Sequence, residues 1–226
     1  MPRTFWALDF DRCLGGTPAL YDLFASIIQE LGIISTTQLQ DARHKIEQTG
    51  GSFDVISYLY QHRLIDDAMY DRVVETYCQR AHDDPRGMLE PGAEAFLEWL
   101  RRANQAFGIL SYGDERWQRL KIAASGLSAV NTMITPEKRK GRLIASWYGD
   151  QEAAYTVPSI FTSGSTQFDE VVLVDDKAVA FDTLPATARG YWLQIERTLL
   201  PSQQGSVPGN VTIVQSFTEI MEHENV

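Results

Sequence analysis

Cysteine is scarce in this 226-residue chain: only Cys13 and Cys78 occur, and no CxxC pairs them. That excludes a disulfide framework or a zinc ribbon, and two reduced thiols lead to the expectation of a cytoplasmic protein. The four histidines, His44, His62, His82 and His223, show no HxH or HExxH spacing, so no zinc site is expected. No apolar run approaches the roughly 20 residues that cross a bilayer, and no membrane partner is expected. The opening MPRTFWALDFD has no long apolar segment and reaches acidic residues by position 9, so no secretory signal is expected. Positive charge is also short, with 20 Lys and Arg against 30 Asp and Glu, a net charge of −10. Phosphate polymers demand a basic face, so this balance counts against a nucleic-acid polymer as partner. A small phosphorylated ligand stays open, because one metal ion and one lysine could balance its charge.

What is present is an ordinary folding composition, 44 % apolar and 22 % charged. Phe5-Trp6-Ala7-Leu8 reads as a buried strand that ends at Asp9. Residues 19–84 then read as helices. Leu20, Phe24, Ile27, Ile28 and Leu31 recur at helical spacing, and further helices are expected over Thr37–Gln48, Asp54–His62 and Asp67–His82. Asp83-Asp84-Pro85-Arg86-Gly87 breaks the block. From Pro91 helix and strand alternate: a helix over Gly92–Ala103, a strand over Ala106–Leu110, a helix over Glu115–Ser125 capped by Asp114, and a strand over Val130–Ile134. A helix over about Gly141–Ala154, a loop over 158–168, the strand Val171–Val174, strands at Tyr191–Ile195 and Val211–Val214, and a short C-terminal helix follow. Such alternation predicts a parallel sheet covered on both faces, interrupted after its first strand by a helical insert that forms a second, smaller domain.

Open parallel sheets bind ligands beyond the carboxyl ends of their strands. Asp9-Phe10-Asp11 follows the first strand and Ser111 the second. The third leads into Thr135-Pro136-Glu137-Lys138-Arg139-Lys140, and the fourth ends in Asp175-Asp176. Alone, each is commonplace: an Asp-Asp pair usually makes a turn or a cap, and a lysine at a helix start usually faces solvent. Together they aim carboxylates, a hydroxyl and a lysine at one edge. Adjacent buried carboxylates repel, and a divalent oxygen-seeking cation such as Mg²⁺ resolves that cost.

These four clusters, in this order, resemble the motifs of the haloacid dehalogenase (HAD) superfamily, mostly phosphatases, over nearly the whole chain. ALDFDRCL matches the first motif at Asp9–Leu14, with Cys13 where Thr or Val is usual. GILS matches the second at Ser111, Lys140 or Lys138 the third, and VVLVDD the fourth at Asp175-Asp176. Lys140 is preferred because it lies closest to the apolar run that follows, and Lys121 falls in the wrong segment. The resemblance implies a Rossmann-like α/β core with a parallel sheet flanked by helices, over residues 1–16 and 87–226. A small all-helical cap over 17–86 is inserted after the first strand.

The resemblance also implies roles. Asp9 would be the nucleophile that forms an aspartyl phosphate, and Asp11 the acid and base that serves the leaving oxygen and then water. Ser111 would hold a phosphoryl oxygen, and Lys140 would stabilise developing charge. Mg²⁺ would be held by the Asp9 carboxylate, the Asp11 carbonyl, and Asp175, Asp176 or both. The acid at position 11 favours phosphoester chemistry over carbon–halogen cleavage. A phosphomutase and a non-catalytic binding module remain alternatives. Arg12, Arg43, His44, Lys45 and the loop 49–52 are candidates to meet an anionic substrate, while Phe53, Tyr58, Tyr60, Tyr70 and Tyr77 are expected to form cap core. A small phosphorylated substrate is expected; its identity and the oligomeric state stay open.

Overall fold

The computed structural model describes residues 3–48, 53–149, 153–162, 164–195 and 205–225. In chain order its elements are β1 (Thr4–Leu8), α1 (Thr17–Glu30), α2 (Thr36–Gln48), α3 (Val55–Gln61), α4 (Asp67–Asp83), α5 (Ala93–Arg102), β2 (Ala106–Tyr112), α6 (Glu115–Ala124) and β3 (Thr132–Thr135). They continue as α7 (Lys140–Ala145), β4 (Tyr148–Gly149), β5 (Ala154–Thr156), β6 (Gln167–Phe168), β7 (Glu170–Asp175), β8 (Arg189–Leu193), β9 (Val211–Val214) and α8 (Phe217–Glu224). Two compact units result.

The first unit comprises Met1–Leu14, Glu90–Tyr112 and Val130–Val226. Its six-stranded sheet runs β3-β2-β1-β7-β8-β9, with every pairing parallel. Successive strand side chains point to opposite faces, so a strand buried on both must be apolar throughout. β1 meets that demand. Phe5 and Ala7 join a core with Leu110, Val171, Leu173 and Phe181. Trp6 faces the other way, against Phe96 and Trp99 of α5 and Tyr191 of β8. Phe96 in turn stacks on Phe217 of α8, with ring centroids 4.9 Å apart.

Residues 146–149 and 153–154 depart from the helix expected over Gly141–Ala154, of which residues 150–152 lie outside the described residues. α7 ends at Ala145, and the chain folds into a small antiparallel sheet, β4-β5-β6, with Tyr148 opposite Tyr155 and Tyr155 opposite Phe168. β6 also replaces part of the expected loop at 158–168, and Ser159–Phe161 forms a 3-10 turn. Leu143, Ile144 and Trp147 lie at helical spacing, but Tyr148 and Tyr155 suit a pleated surface, and tertiary pairing prevails over local period. Residues 196–204, including the start of the expected loop 202–210, lie outside the described residues.

The second unit comprises Gly15–Leu89 and Gly113–Ala129, and its regular elements are the helices α1, α2, α3, α4 and α6. Its core gathers Leu20, Phe24, Ile27 and Ile28 of α1 with Val73, Tyr77 and Ala81 of α4. Phe24 packs on Trp117 of α6 at 4.8 Å, and the Tyr77 hydroxyl donates to the Leu20 carbonyl at 2.9 Å. Asp54, Asp66 and Asp114 cap α3, α4 and α6 by accepting from backbone N–H groups, the cap geometry that short acidic side chains favour. Of the five aromatics expected in this core only Tyr77 is buried; Phe53, Tyr58, Tyr60 and Tyr70 are half-buried and pair with one another. Among the described residues, no helix is long and apolar enough to cross a membrane.

Candidate active site at the carboxyl edge of the sheet

β1 lies between β2 on one side and β7 on the other, and the carboxyl ends of these three strands form the edge where open parallel sheets bind ligands. The register sets Leu8 beside Ile109 and Val174, so Asp9 emerges level with the end of β7. The Asp9 N–H donates to the Val174 carbonyl at 2.9 Å, which extends the ladder by one bond and fixes the aspartate at the edge.

Asp9, Asp175 and Asp176 are all buried, and one carboxylate oxygen from each lies within 4.8 Å of the others. Lys140 is the first residue of α7 and is 2 % exposed. Its ammonium donates to Asp9 Oδ1 and, at 2.7 Å, to Asp175 Oδ2. α7 reaches this depth because Gly141 follows: a Cβ there would lie 2.7 Å from the Asp182 carbonyl oxygen and 2.8 Å from the Leu184 nitrogen.

Burial and the neighbouring Asp175 push the Asp9 carboxyl up to about 6, although Lys140 and Lys177 pull the other way. Burial opposes the Lys140 ammonium, yet Asp175 and Asp9 outweigh it and the pKa is raised, so Lys140 stays charged. Cys13 is buried close by, its thiol facing the Val174 carbonyl at 3.9 Å. Burial and the three aspartates push that thiol well up, which keeps it neutral and poorly nucleophilic.

Two polar atoms stand apart. Asp9 Oδ2 and Ser111 Oγ are buried and have no hydrogen-bond partner among the described residues. Leaving such atoms unpaired costs about 1–3 kcal/mol each, more for a charged group. A divalent cation would satisfy the first, and an oxygen of a bound anion would satisfy the second. The donors are all oxygens, as Mg²⁺ requires, so the residues present fit that ion.

Among the sequence candidates, Asp9, Lys140, Asp175 and Asp176 converge and Ser111 ends buried near the close of β2. Asp11 is half-buried in the loop after β1, and its carboxylate is not one of the three clustered groups. Arg12, next to it, is held at φ 58°, a left-handed conformation uncommon for a residue with a Cβ. Lys138 is exposed, its ammonium 5.3 Å from the centre of the Tyr112 ring, and thus occupies a different place from Lys140. Lys121 is buried in the second unit beside the Trp117 ring. There also, Arg43 covers the Tyr21 ring, His44 meets Gln48 and Lys45 is exposed on α2. The loop 49–52 lies outside the described residues.

Sequence reasoning missed Lys177. Its backbone N–H donates to Asp175 Oδ1 at 2.8 Å and its ammonium lies 3.5 Å from Asp176 Oδ1. The available signal was a cation immediately after an acidic pair at a strand end.

No protein-family model matches the sequence, and no curated protein matches it. Solved structures do. A haloacid dehalogenase-like hydrolase of Burkholderia xenovorans LB400 is similar at TM-score 0.63 and 22 % identity, over 100 % of this chain and 98 % of that one. The HAD-hydrolase YfnB of Bacillus subtilis, solved with magnesium, is similar at TM-score 0.54 and 14 % identity, over 100 % and 99 %. A beta-phosphoglucomutase of Thermotoga maritima is similar at TM-score 0.54 and 10 % identity, over 99 % of each chain. The chain therefore has the fold of the HAD-superfamily hydrolases.

Proposed function

We propose that this chain is a Mg²⁺-dependent phosphatase that hydrolyses a small phosphomonoester through an aspartyl phosphate on Asp9. The observation that carries the reading is the divided carboxylate of Asp9: one oxygen is taken by Lys140, and the other is buried and uncommitted at the edge where Ser111 also presents an uncommitted hydroxyl.

Lys140 holds Asp9 in place and supplies positive charge beside the oxygen on which the phosphoryl group arrives. An Asp9 oxygen attacks phosphorus; the new O–P bond forms as the bond to the leaving oxygen breaks. Asp11 gives its proton to that leaving oxygen. Ser111 donates to a phosphoryl oxygen throughout. Water then attacks the aspartyl phosphate, Asp11 takes its proton, and phosphate departs with Asp9 restored. Asp9, Asp175 and Asp176, with the Asp11 carbonyl, would hold Mg²⁺, which when bound would offset repulsion between the nucleophile and a phosphate dianion. The cytoplasm, with its reduced thiols and phosphorylated metabolites, is the compartment this reading assigns. Magnesium in the YfnB structure is in keeping with the same reading.

The test is hydrolysis of p-nitrophenyl phosphate by the wild type and Asp9→Asn, with Mg²⁺ and with EDTA. Expected is Mg²⁺-dependent release of free phosphate that the substitution abolishes. Turnover that survives in Asp9→Asn sinks the assignment, and transfer without free phosphate points to a mutase.

A further inference from the structure

We propose that Lys177 is a positioning residue that weakens the hold of Asp9, Asp175 and Asp176 on a divalent cation until an anion is bound, so that metal and phosphate enter cooperatively. The inference rests on reading those three carboxylates as a cation site. Two ammoniums serve them. Lys140 is committed to Asp9 and Asp175, and Lys177 lies 3.5 Å from Asp176 Oδ1.

The backbone fixes this pairing. Lys177 donates its N–H to Asp175 Oδ1, and it leads directly into the 3-10 turn Ala178–Phe181, where Ala178, Ala180 and Phe181 are buried. The Trp192 indole N–H donates to the Asp176 carbonyl at 2.9 Å. Asp176 and Lys177 are thus anchored from both sides and cannot separate by sliding of the chain. The Lys177 side chain is still a third exposed, so it can turn from a carboxylate toward an arriving anion.

Charge decides the consequence. Three carboxylates and two ammoniums leave one net negative charge. A divalent cation turns that into one net positive charge, which suits a phosphate dianion. Without Lys177 the cation meets two net negative charges, and the loaded site is neutral. Asp11, whose charge also acts on Lys177, lowers both cases equally. Lys177 therefore disfavours the cation alone and favours the anion once the cation is present. Linkage makes the effect reciprocal: phosphate must tighten the metal by the factor with which the metal tightens phosphate.

The test is titration calorimetry of Mg²⁺ into the wild type, Lys177→Met, Lys177→Gln and Lys177→Arg, with and without inorganic phosphate, with folding checked by circular dichroism. Partial exposure screens the charge, so the expected gain in affinity for Mg²⁺ alone is about tenfold in the Met and Gln variants. The enhancement by phosphate should shrink by a similar factor, and Arg should preserve wild-type behaviour. A merely structural ion pair would leave the phosphate enhancement intact. Folded Met or Gln variants that bind Mg²⁺ no more tightly than the wild type, while the wild type binds it, overturn the role of Lys177 alone. A wild type that takes up no Mg²⁺ overturns the phosphatase reading and this inference together.

Discussion

Asp9→Asn is expected to stabilise the metal-free protein while abolishing its chemistry. Asp9 is 3 % exposed, and its carboxyl is pushed from 3.8 up to about 6, chiefly by burial and then by Asp175. The folded chain therefore holds this proton more tightly than the unfolded chain does. For a group whose folded pKa is raised, stability is fully present below 3.8 and is lost as pH rises through about 6. At about 1.4 kcal/mol per tenfold change in proton affinity, ionised Asp9 costs the fold about 3 kcal/mol at pH 8. Asparagine has the shape of the neutral acid and no such cost, and Lys140 keeps Asp175 at 2.7 Å. Denaturation in EDTA should show the variant more stable by about 3 kcal/mol at pH 8. That is about 6–12 °C in melting temperature for a chain of this size. The gain should fall to about half near pH 5 and vanish toward pH 4. Mg²⁺ should then raise the wild type more than the variant. A variant equal to or less stable than the wild type at pH 8, or a gain that does not change with pH, would refute the reasoning.

Lys140→Met removes the ammonium from two buried carboxylates and should cost about 3–5 kcal/mol at pH 8 by urea unfolding. The loss should be smaller at pH 5, where Asp9 can take up a proton; equal losses at both pH values contradict the account. Ser111→Ala should raise stability by about 1–3 kcal/mol, because it removes a buried hydroxyl that has no partner to lose, while lowering p-nitrophenyl phosphate turnover at least about tenfold. Gly141→Ala drives a Cβ into the backbone at Asp182 and Leu184 and should cost about 1–3 kcal/mol, with turnover falling as Lys140 shifts. A fully stable and active Gly141→Ala would show that α7 has room to move.

Much of the core was legible along the chain. Phe5–Leu8 of β1 and Val171–Val174 of β7 are unbroken apolar runs because central parallel strands are buried on both faces, and each run ends at the acidic residues of the edge. α1 showed its buried stripe, Leu20, Phe24, Ile27 and Ile28, at helical spacing. Past Ala145 the helix expected over Gly141–Ala154 misled because a few apolar residues fit two periods, and the choice fell to Tyr155, buried between Tyr148 and Phe168 of its neighbouring strands. Helix α6 follows a core strand in sequence yet packs within the helical unit through Trp117, a contact with Phe24 that lies far away along the chain.

Sequence alone determined which chemical groups stand at the strand ends and in what order, since hydrophobic period and turn residues are local properties. The two lysines at the start of α7 and just before it differ by only two positions, and composition treats them alike. Tertiary structure decided between their places: Lys140 is buried between Asp9 and Asp175, whereas Lys138 is exposed above Tyr112. It also decided that Lys177 faces Asp176 rather than open solvent. The proton affinity of Asp9 belongs to the same category. It depends on burial and on charges over a hundred residues away in sequence but within a few ångströms in space, and electrostatic energy follows the second distance.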